Sequence, residues 1–209
     1  MPFNSRLVFF IMLMTSGITS FHCIADDSHI NFERLHQISE KYAGLRIIAS
    51  QAQYQVGDVV GIEIAIHEAG WLNILEVGPD DKTTILFPNA YSKGDNSVPK
   101  GIFRIGRLCE QNTVPGCFSF TATEPRGRSI VVAVWTRNRL NLWEEVPRKI
   151  STRSVLMELE PQAGKRLIET MSYFFEQDSD HSGSRSIQVE PHKLNSAAKL
   201  MGRLYVDIL

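Results

Sequence analysis

The chain is poor in cysteine, with three among 209 residues, and neither sign of charge prevails: 22 lysines and arginines face 23 aspartates and glutamates, for a formal charge of −1. A balance this even gives no field to steer the chain onto nucleic acid or an anionic membrane surface, so neither is expected as a partner. Apolar runs are short. The run Leu7–Met14 has eight residues, against about 20 for a bilayer span, so no stable membrane anchor is expected. Internal repeats and extended low-complexity tracts are also lacking, which argues against a solenoid or array. A chain of this length buries a core without metal, and no cofactor is called for.

Motifs that carry chemistry are missing as well. His67-Glu68 opens like a zinc-protease motif, but a second histidine is needed one helical turn on and position 71 is Trp71. The pair reads better as a strand end turning through Ala69-Gly70. A nucleophilic serine needs a tight, glycine-flanked elbow after a strand. Ser182 and Ser184 do flank Gly183, yet they sit in a polar linker with no apolar strand leading in. A hydrolase would have to assemble its site from residues dispersed along the chain. Asp178, Asp180 and Ser182 ahead of Gly183 resemble the start of a calcium loop. The twelfth position is Val189, however, and Glu190 arrives one residue late for the bidentate carboxylate, so a solvated linker is the better reading and no metal is assigned. An enzyme is not expected.

What is present begins with an export signature. Arg6 precedes the Leu7–Met14 run, small and polar residues follow to Ser20, and Cys23-Ile24-Ala25 suits a cut after Ala25. Lipidation at Cys23 is disfavoured because His22 stands where a small residue is wanted. Residues 1–25 are thus read as a signal peptide, and the mature chain as periplasmic or secreted. Its formal charge is −2, since only Arg6 among charged residues is lost. Two cysteines remain, Cys109 and Cys117, around a Pro115-Gly116 turn. An oxidising compartment and a chain that doubles back favour a disulfide between them.

Hydrophobic periodicity then orders the chain. Phe32, Leu35, Ile38 and Tyr42 recur at helical spacing over residues 26–44, behind Asp26-Asp27-Ser28 as capping residues. From Leu45 the period becomes two, with Leu45, Ile47 and Ala49, then Val60, Ile62, Ile64 and Ile66. Further strands are expected over Trp71–Val77, Thr84–Phe87, Ile102–Ile105, Cys117–Ala122 and Ser129–Thr136, parted by Gly- and Pro-rich turns. Short strands at this cadence predict a mainly β domain over 45–150, an antiparallel β-sandwich or open barrel. A C-terminal extension over 151–209 offers a strand at Ser154–Leu159 and a helix from Pro161 with an apolar stripe of Leu167, Met171, Phe174 and Phe175. Asn195 is expected to cap a second short helix through Leu200 and Met201, before Leu204–Leu209 returns to the sheet.

Surface recognition is the remaining source of function. In the loop after Leu86-Phe87-Pro88-Asn89, the proline cannot extend a ladder and the asparagine can bond locally, which makes a corner. Tyr91, Lys93, Asp95 and Asn96 follow on a polar stretch suited to contact. Arg126, Arg128, Arg137 and Arg139 flank the strand Ile130–Trp135, either as a basic patch or as charges guarding a strand edge. Trp71 and Trp135 are expected in the core.

Tyr54, Gly57-Asp58, Gly70-Trp71, Leu86-Phe87-Pro88-Asn89, Gly101 and Glu124-Pro125-Arg126-Gly127, in that order, resemble the bacterial domain of unknown function 4384 over about residues 45–137. The resemblance implies a small β-rich module of exported proteins, elsewhere attached to signalling kinases or caspase-like peptidases, with no catalytic residues to carry over. Trp71 stands where the family usually has Tyr, and the cysteine loop is an insertion. The expected function is that of an exported, non-enzymatic accessory binding an envelope or secretion-system protein. The alternatives are a secreted virulence factor or a hydrolase with a dispersed active site.

Overall fold

The computed structural model describes residues 29–106, 118–146, 155–177 and 199–209. The signal peptide with its cut after Ala25, the Cys109–Cys117 pair, the Asp178, Asp180 and Ser182 loop, and Asn195 lie outside the described residues.

In chain order the elements are α1 (Ile30–Lys41), β1 (Arg46–Ala49), β2 (Gln53–Tyr54), β3 (Gly61–Ile66), β4 (Gly70–Val77), β5 (Thr83–Phe87), β6 (Ser97–Val98), β7 (Gly101–Gly106), β8 (Gly127–Thr136), α2 (Leu142–Glu145), β9 (Met157–Leu159), α3 (Pro161–Gln177) and β10 (Lys199–Ile208). They make two sheets, β1-β3-β7 and the larger β2-β10-β8-β4-β5-β9, with β6 paired to β4. The pairing is antiparallel except between β10 and β2. Of the two expected architectures the sandwich is the one found, and among the described residues neither sheet closes into a barrel.

The larger sheet is covered on both faces. On β8, Val131, Ala133 and Trp135 face the smaller sheet and pack with Ile62, Ile64, Phe103 and Ile105. Ile130, Val132 and Val134 face the other way, onto Leu35 of α1 and Leu167, Ile168, Met171 and Phe175 of α3. An uninterrupted apolar run is what a strand buried on two sides requires, and residues 130–135 read Ile-Val-Val-Ala-Val-Trp. The molecule is therefore three layers deep: small sheet, large sheet, helices.

Two expectations are corrected, and a cap for α1 comes from far along the chain. Leu200 and Met201 belong to β10 and not to a helix: all ten residues from Lys199 to Ile208 pair with β8, and the ladder overrides a local helical spacing. Residues 118–122 of the strand expected over Cys117–Ala122 form no strand: they pair with residues 57–60 through the isolated bridge Val59 to Thr121 and through bonds from Gly57 N–H to the Ala122 carbonyl (2.8 Å), Val60 N–H to the Phe120 carbonyl (3.0 Å) and Ala122 N–H to the Asp58 carbonyl (2.9 Å). Asp26-Asp27-Ser28, expected as capping residues of α1, lie outside the described residues. His29, at its N-cap, makes no side-chain bond. Instead Asp81, in the β4–β5 turn and 3% exposed, accepts from the Asn31 and Phe32 backbone N–H groups at 3.0 Å each. A carboxylate there satisfies orphan donors and complements the positive end of the helix. Asn31 Nδ2 donates in turn to the carbonyls of Asp81 (2.9 Å) and Pro161 (2.8 Å), tying α1, the turn and α3 together.

Candidate functional sites at the two ends of the sandwich

The residues marked for recognition separate to opposite ends. Arg126 and Arg128 lie at the start of β8, Arg137 and Arg139 just past its end. Ten residues of strand put about 30 Å between them, so the four do not form one patch. Each pairs with an acid: Arg126 with Glu124 (3.1 Å), Arg128 with Asp207 (2.8 Å), Arg137 with Glu68 (2.7 Å) and Arg139 with Glu144 (2.6 Å). β8 is an inner strand, between β10 and β4, so the four guard no sheet edge; each forms an ion pair at one end of the strand. Arg139 also sits 5.9 Å over the ring of Trp71. Trp135 is buried as expected, whereas Trp71 is only half-buried.

The Arg137 end carries the loop over residues 88–96. Asn89 fixes its start as the corner reading expects: its Oδ1 accepts from the N–H groups of Tyr91 (3.0 Å) and Ser92 (3.1 Å), and its own N–H donates to Ser92 Oγ (3.0 Å). The far side is held by a buried amide cluster. Asn73 on β4 donates to the Leu140 carbonyl (3.0 Å) and accepts from Leu142 N–H (2.9 Å), while Asn96 donates to the same carbonyl at 2.7 Å. Asn141 reaches the Gly94 carbonyl at 2.6 Å and caps α2 through Trp143 N–H at 3.1 Å. Asn96, 1% exposed, is thus an internal strut and leaves the set of contact residues. Tyr91, 56% exposed, together with Lys93 and Asp95, remains on the outside. The Asp95 carboxyl is held below its usual range by the Ser97 backbone N–H, aided by the Ser97 hydroxyl.

The opposite end opens into a cleft of about 220 Å³ between the sheets. Its walls include Ile62 of β3, Leu86 of β5, Val131 of β8 and Ile208 of β10. Into this gap, lined by both polar and apolar side chains, β4 projects Glu76, level with Val131 and Thr84 of its neighbours. Burial raises the Glu76 carboxyl above its ordinary value of 4.5; the Ser129 hydroxyl opposes the rise, and Asp80 and Glu158 add to it. Ser129 lies near enough to act on the carboxyl, but its Oγ is fully buried and forms no hydrogen bond among the described residues. Sequence reasoning missed Glu76, although the alternation Leu72, Ile74, Glu76 places a carboxylate on an otherwise apolar face. Histidine is absent from this lining among the described residues.

Residues 53–139 match the family model described as Domain of unknown function (DUF4384). No curated protein and no solved structure matches the chain. The matched stretch runs from β2 to just past β8 and leaves α1, β1, α2, β9, α3 and β10 outside.

Proposed function

For a chain whose β-rich core carries this domain of unknown function, we propose an exported, non-enzymatic binding module that engages another protein of the bacterial envelope or of a secretion system. The contact face is the sandwich end bearing residues 88–96. One observation carries the reading: a large aromatic side chain, Tyr91, stands exposed on a loop whose backbone is fastened from within by Asn89, Ser92 and Asn96. Binding to such a loop loses little conformational entropy, and an exposed tyrosine with charged neighbours is the composition of a binding anchor with a polar rim. Export rests on the Arg6 to Ala25 pattern. Among the described residues no helix is long and apolar enough to cross a membrane.

Full-length protein expressed in a Gram-negative host, fractionated and then weighed by mass spectrometry, tests export: the expected product is an envelope or medium species beginning at Asp26. Purification from envelope extract tests binding. The wild-type protein is expected to retain a defined partner that Tyr91→Ala loses by about tenfold or more, an effect of hot-spot size, with an unchanged melting midpoint. Equal recovery by both proteins contradicts the assigned face.

A further inference from the structure

Glu76 sits in a setting that proteins seldom leave empty of meaning. It lines the cleft between the sheets, beside Val131 and Thr84, and no cation among the described residues pairs with it. The one lysine at the cleft, Lys82, is engaged with Glu158 (3.3 Å) and Asp80 (3.7 Å). Glu124 at the rim is taken by Arg126 outside. The cleft therefore carries four carboxylates, Glu76, Asp80, Glu124 and Glu158, against one ammonium. Ser129, the neighbour whose hydroxyl opposes the rise of the Glu76 carboxyl, adds a second sign. It is 1% exposed, lines the same cleft, and its Oγ has hydrogen-bonding capacity unused among the described residues. Glu76 has no cationic partner among the described residues, and a donor group entering the cleft would relieve the desolvation of its carboxylate and meet the Ser129 oxygen beside it.

We propose that this cleft binds a primary ammonium group on a short apolar stem, with the ammonium donating to Glu76 and Ser129 and the stem lying along Ile62, Leu86 and Val131. The sign of the charge selects a cation over an anion. The apolar side chains in a mixed lining, Ile62, Leu86 and Val131 among them, favour a stem over a bare ion, and the volume of about 220 Å³ admits a molecule of side-chain size, below the usual range for drug-sized ligands. A free alkylamine and a lysine side chain share this chemistry.

The pH dependence follows from competition between ligand and proton. Burial holds the Glu76 carboxyl above 4.5, with Asp80 and Glu158 raising it further and the Ser129 hydroxyl opposing; Lys82 and Glu124 are the other charged groups lining the cleft. An ammonium stabilises the ionised carboxylate, so binding takes up no proton above the raised value and must expel one below it. Affinity is expected to fall as the pH drops through that value toward 4.5.

The test is titration calorimetry of the full-length mature protein with n-pentylamine, with 1-pentanol and pentanoate as isosteres, and with acetyl-Gly-Lys-Gly-amide as the lysine source. Pentylamine or the lysine peptide is expected to bind saturably, at least about tenfold more tightly than either isostere, and Glu76→Gln is expected to remove that preference, as loss of a buried charge partner does. Ser129→Val, which fills the cleft and keeps a strand-forming residue, should weaken the same ligand; it provides a second variant should Glu76→Gln not fold. Whichever ammonium source binds more tightly identifies the source. Equal binding of amine and alcohol, an unchanged preference in both variants, or no saturable binding of either ammonium overturns the proposal.

Discussion

At the scale of single residues, a few buried polar side chains do the work of joining elements distant in sequence. Asp81 is the clearest. It adopts a left-handed backbone (φ 60°) and accepts the first free N–H groups of a helix about 50 residues upstream. Asp81→Ala removes the acceptor and puts a β-carbon residue without a local hydrogen bond at positive φ, so a loss of about 2 kcal/mol or more is expected from chemical denaturation. Asp81→Asn keeps one acceptor oxygen and tolerates the conformation, and should recover a good part of it. This cap was not legible beforehand: Asp26, Asp27 and Ser28 stand where a local cap belongs, and nothing in the turn Gly78-Pro79-Asp80-Asp81 says which helix its acid will meet. Asn89 was legible because its bonds are local, within three residues. Asn73 and Asn96 were not, since Asn73 bonds to residue 140, a separation at which only the fold decides. Glu76 falls between. Its facing follows from strand alternation, whereas the opening of the gap beside it depends on how the two sheets diverge.

At the scale of elements, periodicity located α1, α3 and most strands, because amphipathic repeats report the face that is buried. It misjudged Lys199–Met201, where the decisive contacts are ladder bonds to β8. It also passed over β2 and β6, which have two residues each and no period to read. The seating of α3 gives a sharper prediction. A β-carbon on Gly164 would lie 2.2 Å from Thr83 Oγ1 and 2.8 Å from Thr83 Cβ, so the glycine permits close approach of α3 to β5. Helix propensity alone favours alanine there by about 1 kcal/mol. Steric overlap against the rigid strand outweighs that gain, and Gly164→Ala is expected to cost about 1–3 kcal/mol, as overpacking does. A raised melting midpoint would show that the helix is free to move away.

At the scale of the whole molecule, β10 is an inner strand, between β2 and β8, and the residues after 150 complete the large sheet and cover its outer face with α3. The stretch 53–139 by itself would expose the β8 edge along ten residues and lose both the helical layer and β9. A fragment of residues 53–139 is therefore expected to be unfolded or aggregated by circular dichroism and size-exclusion chromatography, where the mature chain unfolds cooperatively. A folded, monomeric fragment would mean that the core stands without its last strand.

The same architecture places two distinct surfaces at opposite ends of one rigid sandwich, the fastened loop with Tyr91 and the acidic cleft of Glu76. The loop end carries the central claim, that the protein acts by holding a partner. The most direct measurement is photo-crosslinking in intact cells, with a photoreactive phenylalanine substituted at Tyr91 and, separately, at Tyr173, exposed on α3 and away from both surfaces. The account predicts a discrete higher-mass adduct from position 91 and none from position 173. Identical adduct patterns from the two positions, or no adduct from position 91, would contradict it.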